Sequence, residues 1–109
     1  MATVYKVLGQ SNPAATTATT LYTVPAATST VVSTINICNQ AGTSDTFRIA
    51  IRPAGATLAA QHYIAYGTTI PANDSIGLTL GITLAATDFV TIYAGTANLS
   101  FSIFGSEIS

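Results

Sequence analysis

Apolar and polar residues alternate with a period of two along most of the chain, and this alternation restricts it to β-structure. In Asp45–Arg52, the side chains of Phe47, Ile49 and Ile51 share one side of an extended segment, and the intervening residues share the other. Asn98–Phe104 alternates in the same way. The chain is also rich in Thr, Val, Ile and Tyr, which suit a pleated, half-buried surface. A helical fold is therefore excluded.

Segments rich in Gly, Pro, Asn and Ser separate the alternating segments at short intervals, as in antiparallel β-proteins. We predict an all-β fold, an antiparallel β-sandwich or jelly roll of about eight strands, with one domain spanning residues 1–109. Residues 1–18 are predicted to form an N-terminal strand or arm and a flexible loop. Thr57–Gln61 favours a single helical turn. The predicted strands are Thr3–Leu8, Thr19–Val24, Thr30–Cys38, Asp45–Arg52, His62–Tyr66, Ser75–Leu80, Phe89–Ala94 and Asn98–Ile108.

The third predicted strand illustrates how alternation assigns side chains to faces. Its pattern places Val31, Ile35 and Ile37 together on one face and Thr34 on the other. Cys38, the only cysteine of the chain, ends this apolar segment. Since free cysteines are among the most buried residues, we expect a buried thiol without a catalytic role.

Charged residues are unusually rare in this chain. Lysine, arginine, aspartate and glutamate make up 6% of the residues, against about 25% in an ordinary soluble domain. The predicted outer faces carry Thr, Ser, Ala and Asn, and Lys6 is the one lysine available to protect a strand edge. Because surface charge normally keeps small domains apart, we expect other protein chains to cover these faces. We expect a homo-oligomer of closed symmetry, with a trimer as the expected form.

The same composition argues against several classes of function. Three cationic residues without a basic stripe do not suit nucleic-acid binding. No apolar segment approaches the roughly 20 residues of a membrane helix, and the N-terminus lacks the pattern of a targeting signal. The four acidic residues lie far apart, and His62 is the only histidine. We therefore predict no metal site, no cofactor and no enzymatic activity.

Three groups of residues are candidates for contacts with other molecules. Arg48 and Arg52 project from the same face of one predicted strand, where they are either solvated or bind a neighbouring subunit. Glu107 or an aspartate of that neighbour would then accept their hydrogen bonds. The second group lies on the N-terminal strand and comprises Val4, Tyr5 and Val7.

The third group consists of His62, Tyr63 and Tyr66, which we predict to lie on a strand at a sheet face or interface. Tyrosines often pack on a sheet with the hydroxyl group at its rim, and this is the simpler interpretation. The alternative is recognition of another molecule, since loops of a sandwich often carry binding residues. A sugar site would need hydrogen-bonding side chains beside the rings, and none lies near Tyr63 in the sequence.

Four segments, Leu21–Asn39, Thr46–Pro53, Ile70–Leu84 and Leu99–Ile108, resemble a module of tailed-bacteriophage virion proteins. The resemblance covers nearly the whole chain from about Thr19 onwards and is greatest to small structural proteins of phages that infect cyanobacteria and other bacteria. It implies a non-enzymatic capsid decoration, or cement, protein on the outside of the virion that binds the major capsid protein. The alternative that it implies is a tail, fibre or baseplate module. A chain this short, with no shaft or repeats, fits the decoration role better.

Overall fold

The computed structural model describes residues 2–109 of the chain. These residues form nine antiparallel strands in two sheets, together with the turns that connect them. Two single-turn 3-10 helices, Pro53–Gly55 and Ala60–His62, lie between the fourth and fifth strands. The strands are β1 (Thr3–Ser11), β2 (Thr19–Thr23), β3 (Ser29–Asn39), β4 (Asp45–Arg52), β5 (Tyr63–Ile70), β6 (Ser75–Leu78), β7 (Ile82–Leu84), β8 (Phe89–Ala94) and β9 (Leu99–Ile108).

The strands form a β-sandwich, as the alternation predicted. Sheet A has the order β1-β9-β3-β6, and sheet B has the order β2-β8-β4-β5. The short strands β6 and β7 share one edge of β3, where β6 pairs with its second half and β7 with its first. This arrangement leaves β1 at the opposite edge of sheet A, with one side unpaired within the chain.

The core lies between the two sheets and is built from alternate residues of the central strands. Phe47 of β4 and Phe101 of β9 meet edge to face across it, with ring centroids 6.3 Å apart. Ile49, Ile35 and Ile103 are also fully buried there. Burial of such side chains is the main favourable contribution to folding, at roughly 25 cal/mol for each Å² of apolar surface.

A β-bulge in β3 makes one predicted face assignment wrong. Val32 lies opposite Gly105 and Thr34 lies opposite Phe104, so Ser33 has no cross-strand partner in β9. Because the extra residue shifts the alternation by one position, Val32 is buried and Val31 is 39% exposed. Val31 therefore points to the outer face of sheet A, whereas Ile35 faces the core as predicted.

Other local predictions differ from the structure at turns. The structure has an additional strand, β7, that the sequence analysis does not predict. It is separated from β6 by a turn at Gly81, whose φ of 65° suits a glycine. Within the predicted helical segment Thr57–Gln61, the 3-10 turn begins only at Ala60. Cys38 is partly exposed, and it lies opposite outward-facing serines rather than in the core.

A hydrogen-bonded group of four polar residues joins the two sheets. The hydroxyl group of Tyr22, on β2, donates to a carboxylate oxygen of Glu107, on β9, at 2.5 Å. The same hydroxyl oxygen lies 2.8 Å from that of Thr30 and can accept its proton. Lys6 donates to the second oxygen of Glu107 at 2.9 Å. These contacts lower the pKa of Glu107, and burial together with Glu107 raises the pKa of Tyr22 to about 12.

This group predicts a loss of stability at both ends of the pH range. The lowered pKa of Glu107 stabilises the fold above pH 4.5, and this contribution disappears as the pH falls through the folded-state value. The raised pKa of Tyr22 stabilises the fold below pH 10, and this contribution disappears as the pH rises toward about 12. Urea unfolding across pH should show both declines. In Glu107→Gln the acid decline should be smaller, and an unchanged acid profile would contradict the assignment.

Candidate functional site

The outer face of sheet B carries an arginine held between two tyrosine rings. Arg48 lies on β4, opposite Tyr93 on β8 and opposite Tyr66 on β5. Since β4 lies between these strands, the two rings flank the arginine side chain from opposite sides. The guanidinium carbon is 4.2 Å from each ring centroid. At exposed sites each such cation–π contact contributes about 0.5–1 kcal/mol.

An open cleft adjoins this arginine–tyrosine cluster, which we define as Arg48, Tyr63, Tyr66 and Tyr93. Tyr63 packs edge to face against Tyr66, with centroids 4.9 Å apart. The cleft has a volume of about 650 Å³ and is lined by Leu58, Ala59, Ala60, Tyr63 and Tyr66. The sheet register thus joins residues that the sequence analysis placed in two separate groups.

His62 lies next to Tyr63 of the cluster, at the end of a 3-10 turn rather than on a strand. The prediction that it belongs to a strand is wrong, because it ends the 3-10 turn that precedes β5. It is buried, and its Nδ1 atom accepts a hydrogen bond from the backbone N–H of Ala59 at 3.0 Å. His62 therefore holds Ala59, which lines the cleft, close to the start of β5.

Arg52 shares the face of Arg48 but has a different role. Its Nε–H group donates to the carbonyl oxygen of Ala56 at 2.7 Å, and a terminal nitrogen donates to that of Gly55 at 3.2 Å. The other terminal nitrogen lies 3.4 Å from the Thr91 hydroxyl oxygen, and the guanidinium stacks over Phe89. Two nitrogens of Arg52 thus bind the loop after β4, and the third connects the side chain to β8.

The predicted contact residues of the N-terminal strand lie on the opposite sheet. Tyr5 and Val7 point to the outer face of sheet A, where they are opposite Ser106 and Phe104 of β9. Val4 lies opposite Glu107, on the side of β1 that faces sheet B, yet half of it remains exposed at the sheet edge. The three residues therefore contribute to two surfaces rather than one.

The outer face of sheet A forms an exposed apolar surface without formal charge. Tyr5 is 83% exposed, and Val7 is 49% exposed. The charged residues in the strands of sheet A are Lys6 and Glu107, and both occupy rows that face the other sheet. We call this surface the apolar outer face, and we define it as Tyr5, Val7, Val31, Phe104 and Ile108.

Within residues 2–109, no group of three or more His, Cys, Asp or Glu side chains is placed to hold a metal ion. Over the same residues, no helix has the length and hydropathy needed to cross a bilayer. The two surfaces expose aromatic and aliphatic side chains, and sheet B adds two arginines, of which Arg52 is bound to the loop after β4. Such surfaces are suited to binding other macromolecules.

No protein-family model matches this chain, and no curated protein matches it.

Tyr93, Val31 and Phe104 were missed as surface residues in the sequence analysis. Tyr93 alternates with the buried Ile92 and so was assigned to a strand, but its contact with Arg48 depends on the pairing of β4 with β8. The alternation places Val31 on the same face as Ile35 and Ile37, because it does not reveal the bulge at Ser33. Gly105, inside a strand that otherwise alternates apolar and polar residues, is the available signal for that bulge.

Proposed function

We propose that this chain is a non-enzymatic structural protein of a tailed-phage virion, which decorates the outer capsid as a homo-oligomer and stabilises it. The observation that supports this proposal most is the apolar outer face of sheet A. Its large apolar side chains lie among serines and threonines with no charged neighbour, and subunit interfaces are likewise depleted of charge. The resemblance of the sequence to phage virion modules supplies the setting.

The unpaired edge of β1 favours the same proposal. An edge strand exposes backbone N–H and C=O groups that can pair with another chain, and lysine side chains commonly protect such edges. Lys6 is the one lysine on β1, and its amine is held by Glu107 of the same chain. In an oligomer of closed symmetry, neighbouring copies would cover both this edge and the adjoining apolar outer face.

Stabilisation of a capsid by such a protein follows from mass action. A protein that binds the assembled shell, and not its separated subunits, shifts the equilibrium toward the shell by an amount that grows with its free concentration. No chemical step is needed, which agrees with two surfaces of apolar and aromatic character. The decoration role requires contact with the major capsid protein as well as contact between copies.

Charges placed on the apolar outer face should abolish self-association. We expect the native chain to sediment as an oligomer, with three times the 11.1 kDa chain mass as the expected value. The double variant Val7→Lys, Val31→Lys should sediment as a monomer, because two ammonium groups would be buried at the interface without partners. Sedimentation velocity at several protein concentrations measures both.

Leu80→Lys is the matched control, since Leu80 is similarly exposed but lies between β6 and β7, outside the paired strands. This variant should remain oligomeric. The thermal unfolding of all variants would be compared to establish that they are folded. A native chain that sediments as a monomer at every concentration would contradict the assignment of this face.

A second candidate function is a tail, fibre or baseplate module that contacts other virion proteins or the host surface. The arginine–tyrosine cluster and its cleft favour this candidate, because exposed tyrosines beside a concave surface are typical of recognition sites. The two candidates differ in stoichiometry. A decoration protein is needed in numbers comparable to the capsid protein, and a tail component in far fewer copies.

A further inference from the structure

We infer that Arg48 binds a carboxylate group on an acidic segment of a different protein, so that the two sheets of the sandwich serve two different partners. This inference rests on the proposed function and specifies the chemistry of its second partner. It depends on three observations: the free hydrogen-bond donors of Arg48, the engagement of this chain's own carboxylates, and the contrast with Arg52.

The guanidinium of Arg48 lies over two aromatic rings and keeps its hydrogen-bond donors free. Its Cζ atom is 4.2 Å from the ring centroids of both Tyr66 and Tyr93. Within residues 2–109, Arg48 makes no ion pair, and its N–H groups donate to no protein acceptor. Over the same residues, every buried side-chain nitrogen has a partner, so the N–H groups of Arg48 must reach solvent. A guanidinium held beside two rings presents a planar fork of free donors, which matches the two oxygens of a carboxylate.

A second copy of this chain is a poor source of that carboxylate. Both side-chain oxygens of Asp45, Asp88 and Glu107 already accept hydrogen bonds within their own chain. Asp74 alone keeps a free oxygen, while its other oxygen accepts from the backbone N–H of Ser75. The charge complementary to Arg48 is therefore expected from a protein with more acidic residues than this one.

Tyrosine and arginine together favour a protein partner over other acidic ligands. These two residue types are enriched among the residues that contribute most to protein–protein binding, where they lie in desolvated contacts surrounded by neutral residues. Tyr63 and Tyr66 border a cleft whose other walls are Leu58, Ala59 and Ala60, and such a surface can exclude water around a single ion pair. The ion pair would orient the partner, and the apolar contacts would supply affinity.

Nuclear magnetic resonance provides a direct test, because the side-chain Nε–Hε signals of the two arginines can be followed individually. The probes are hexaglutamate and, as a neutral control, hexaglutamine. We expect hexaglutamate to shift the Arg48 signal in a saturable and salt-sensitive manner, while the Arg52 signal stays in place. Arg48→Gln should weaken binding by about tenfold, the loss expected for one charge-assisted bidentate contact.

Arg52→Gln is the matched control on the same strand and face, and it should bind hexaglutamate as the native chain does. Arg48→Lys keeps the charge but not the planar fork, and binding should weaken as in Arg48→Gln. An Arg48 signal that ignores hexaglutamate, or that moves equally with hexaglutamine, would overturn the inference.

Two outcomes separate this inference from the functions on which it rests. If the Arg48 signal shifts with protein concentration alone, and Asp74→Asn removes that shift, a second copy supplies the carboxylate and the inference is overturned. If Arg48 ignores hexaglutamate while Val7→Lys, Val31→Lys still abolishes self-association, the assembly proposal stands and only the acidic partner is excluded.

Discussion

Replacing Phe101 with alanine is expected to lower the free energy of unfolding by about 4 kcal/mol, because the ring is fully buried between the sheets. The variant loses the edge-to-face contact with Phe47 and leaves a cavity that rigid neighbouring strands cannot fill. The total stability of a small domain is about 5–15 kcal/mol, so this loss is a large share of it. Chemical denaturation followed by circular dichroism measures the change.

Phe104→Ala is the matched control for this prediction. Phe104 lies on the same strand as Phe101, but its side chain belongs to the apolar outer face and is partly exposed. Its removal should cost about 1 kcal/mol, within the range of surface substitutions near partly buried groups. Because self-association adds to apparent stability, both variants would be compared at one protein concentration. Equal losses for the two variants would contradict the assignment of faces in β9.

Gly105→Ala is expected to destabilise the sandwich by about 3 kcal/mol, at the upper end of the range for overpacked sites. Gly105 lies opposite the bulge in β3, and a Cβ atom there would overlap the carbonyl oxygen of Val31 and approach the Cα atom of Val32 to 3.0 Å. Both obstacles are backbone atoms of a central strand, so a change of rotamer cannot relieve the overlap. The variant should also shift the pairing of β3 with β9, which amide hydrogen exchange in these strands would detect.

The control for Gly105 is Gly77→Ala in β6 of the same sheet. A Cβ atom on Gly77 would lie 3.8 Å from the side chain of Thr34 and 3.9 Å from that of Asn36, which are ordinary contacts. This variant should change stability by about 0.5 kcal/mol or less. If Gly105→Ala were tolerated as well as Gly77→Ala, the close approach of β9 to the bulge would be incorrect.

The period of two in the sequence was sufficient to predict the β-sandwich and most strands. Asp45–Arg52 was predicted with the bounds that the structure shows for β4, since a regular strand fixes its own alternation. The alternation failed at Ser33, where a bulge inserts one residue into β3. Such an insertion depends on Gly105 in another strand, and a single segment of sequence does not contain that information.

The arginine–tyrosine cluster could be predicted only in part for the same reason. Arg48 and Tyr66 were each candidates for contacts, but in separate groups, because the pairing of β4 with β5 and β8 is not visible in the sequence. The difference between Arg48 and Arg52 was also hidden. It arises because the loop after β4 folds back and presents the carbonyl groups of Gly55 and Ala56 to Arg52 alone.

The two outer faces suit a chain with few charges to the assembly that we propose. The apolar outer face of sheet A is expected to be covered by copies of the same chain. Sheet B keeps one oriented guanidinium among tyrosines for a partner of complementary charge. The low charge of the chain is compatible with the proposed burial of these faces in a larger particle.

The number of copies of this protein in purified virions, relative to the major capsid protein, tests the central proposal most directly, and quantitative mass spectrometry measures it. The decoration role predicts a copy number comparable to that of the major capsid protein. A ratio far below that value would contradict decoration and favour the tail, fibre or baseplate alternative. Absence of the protein from the particle would contradict both virion roles.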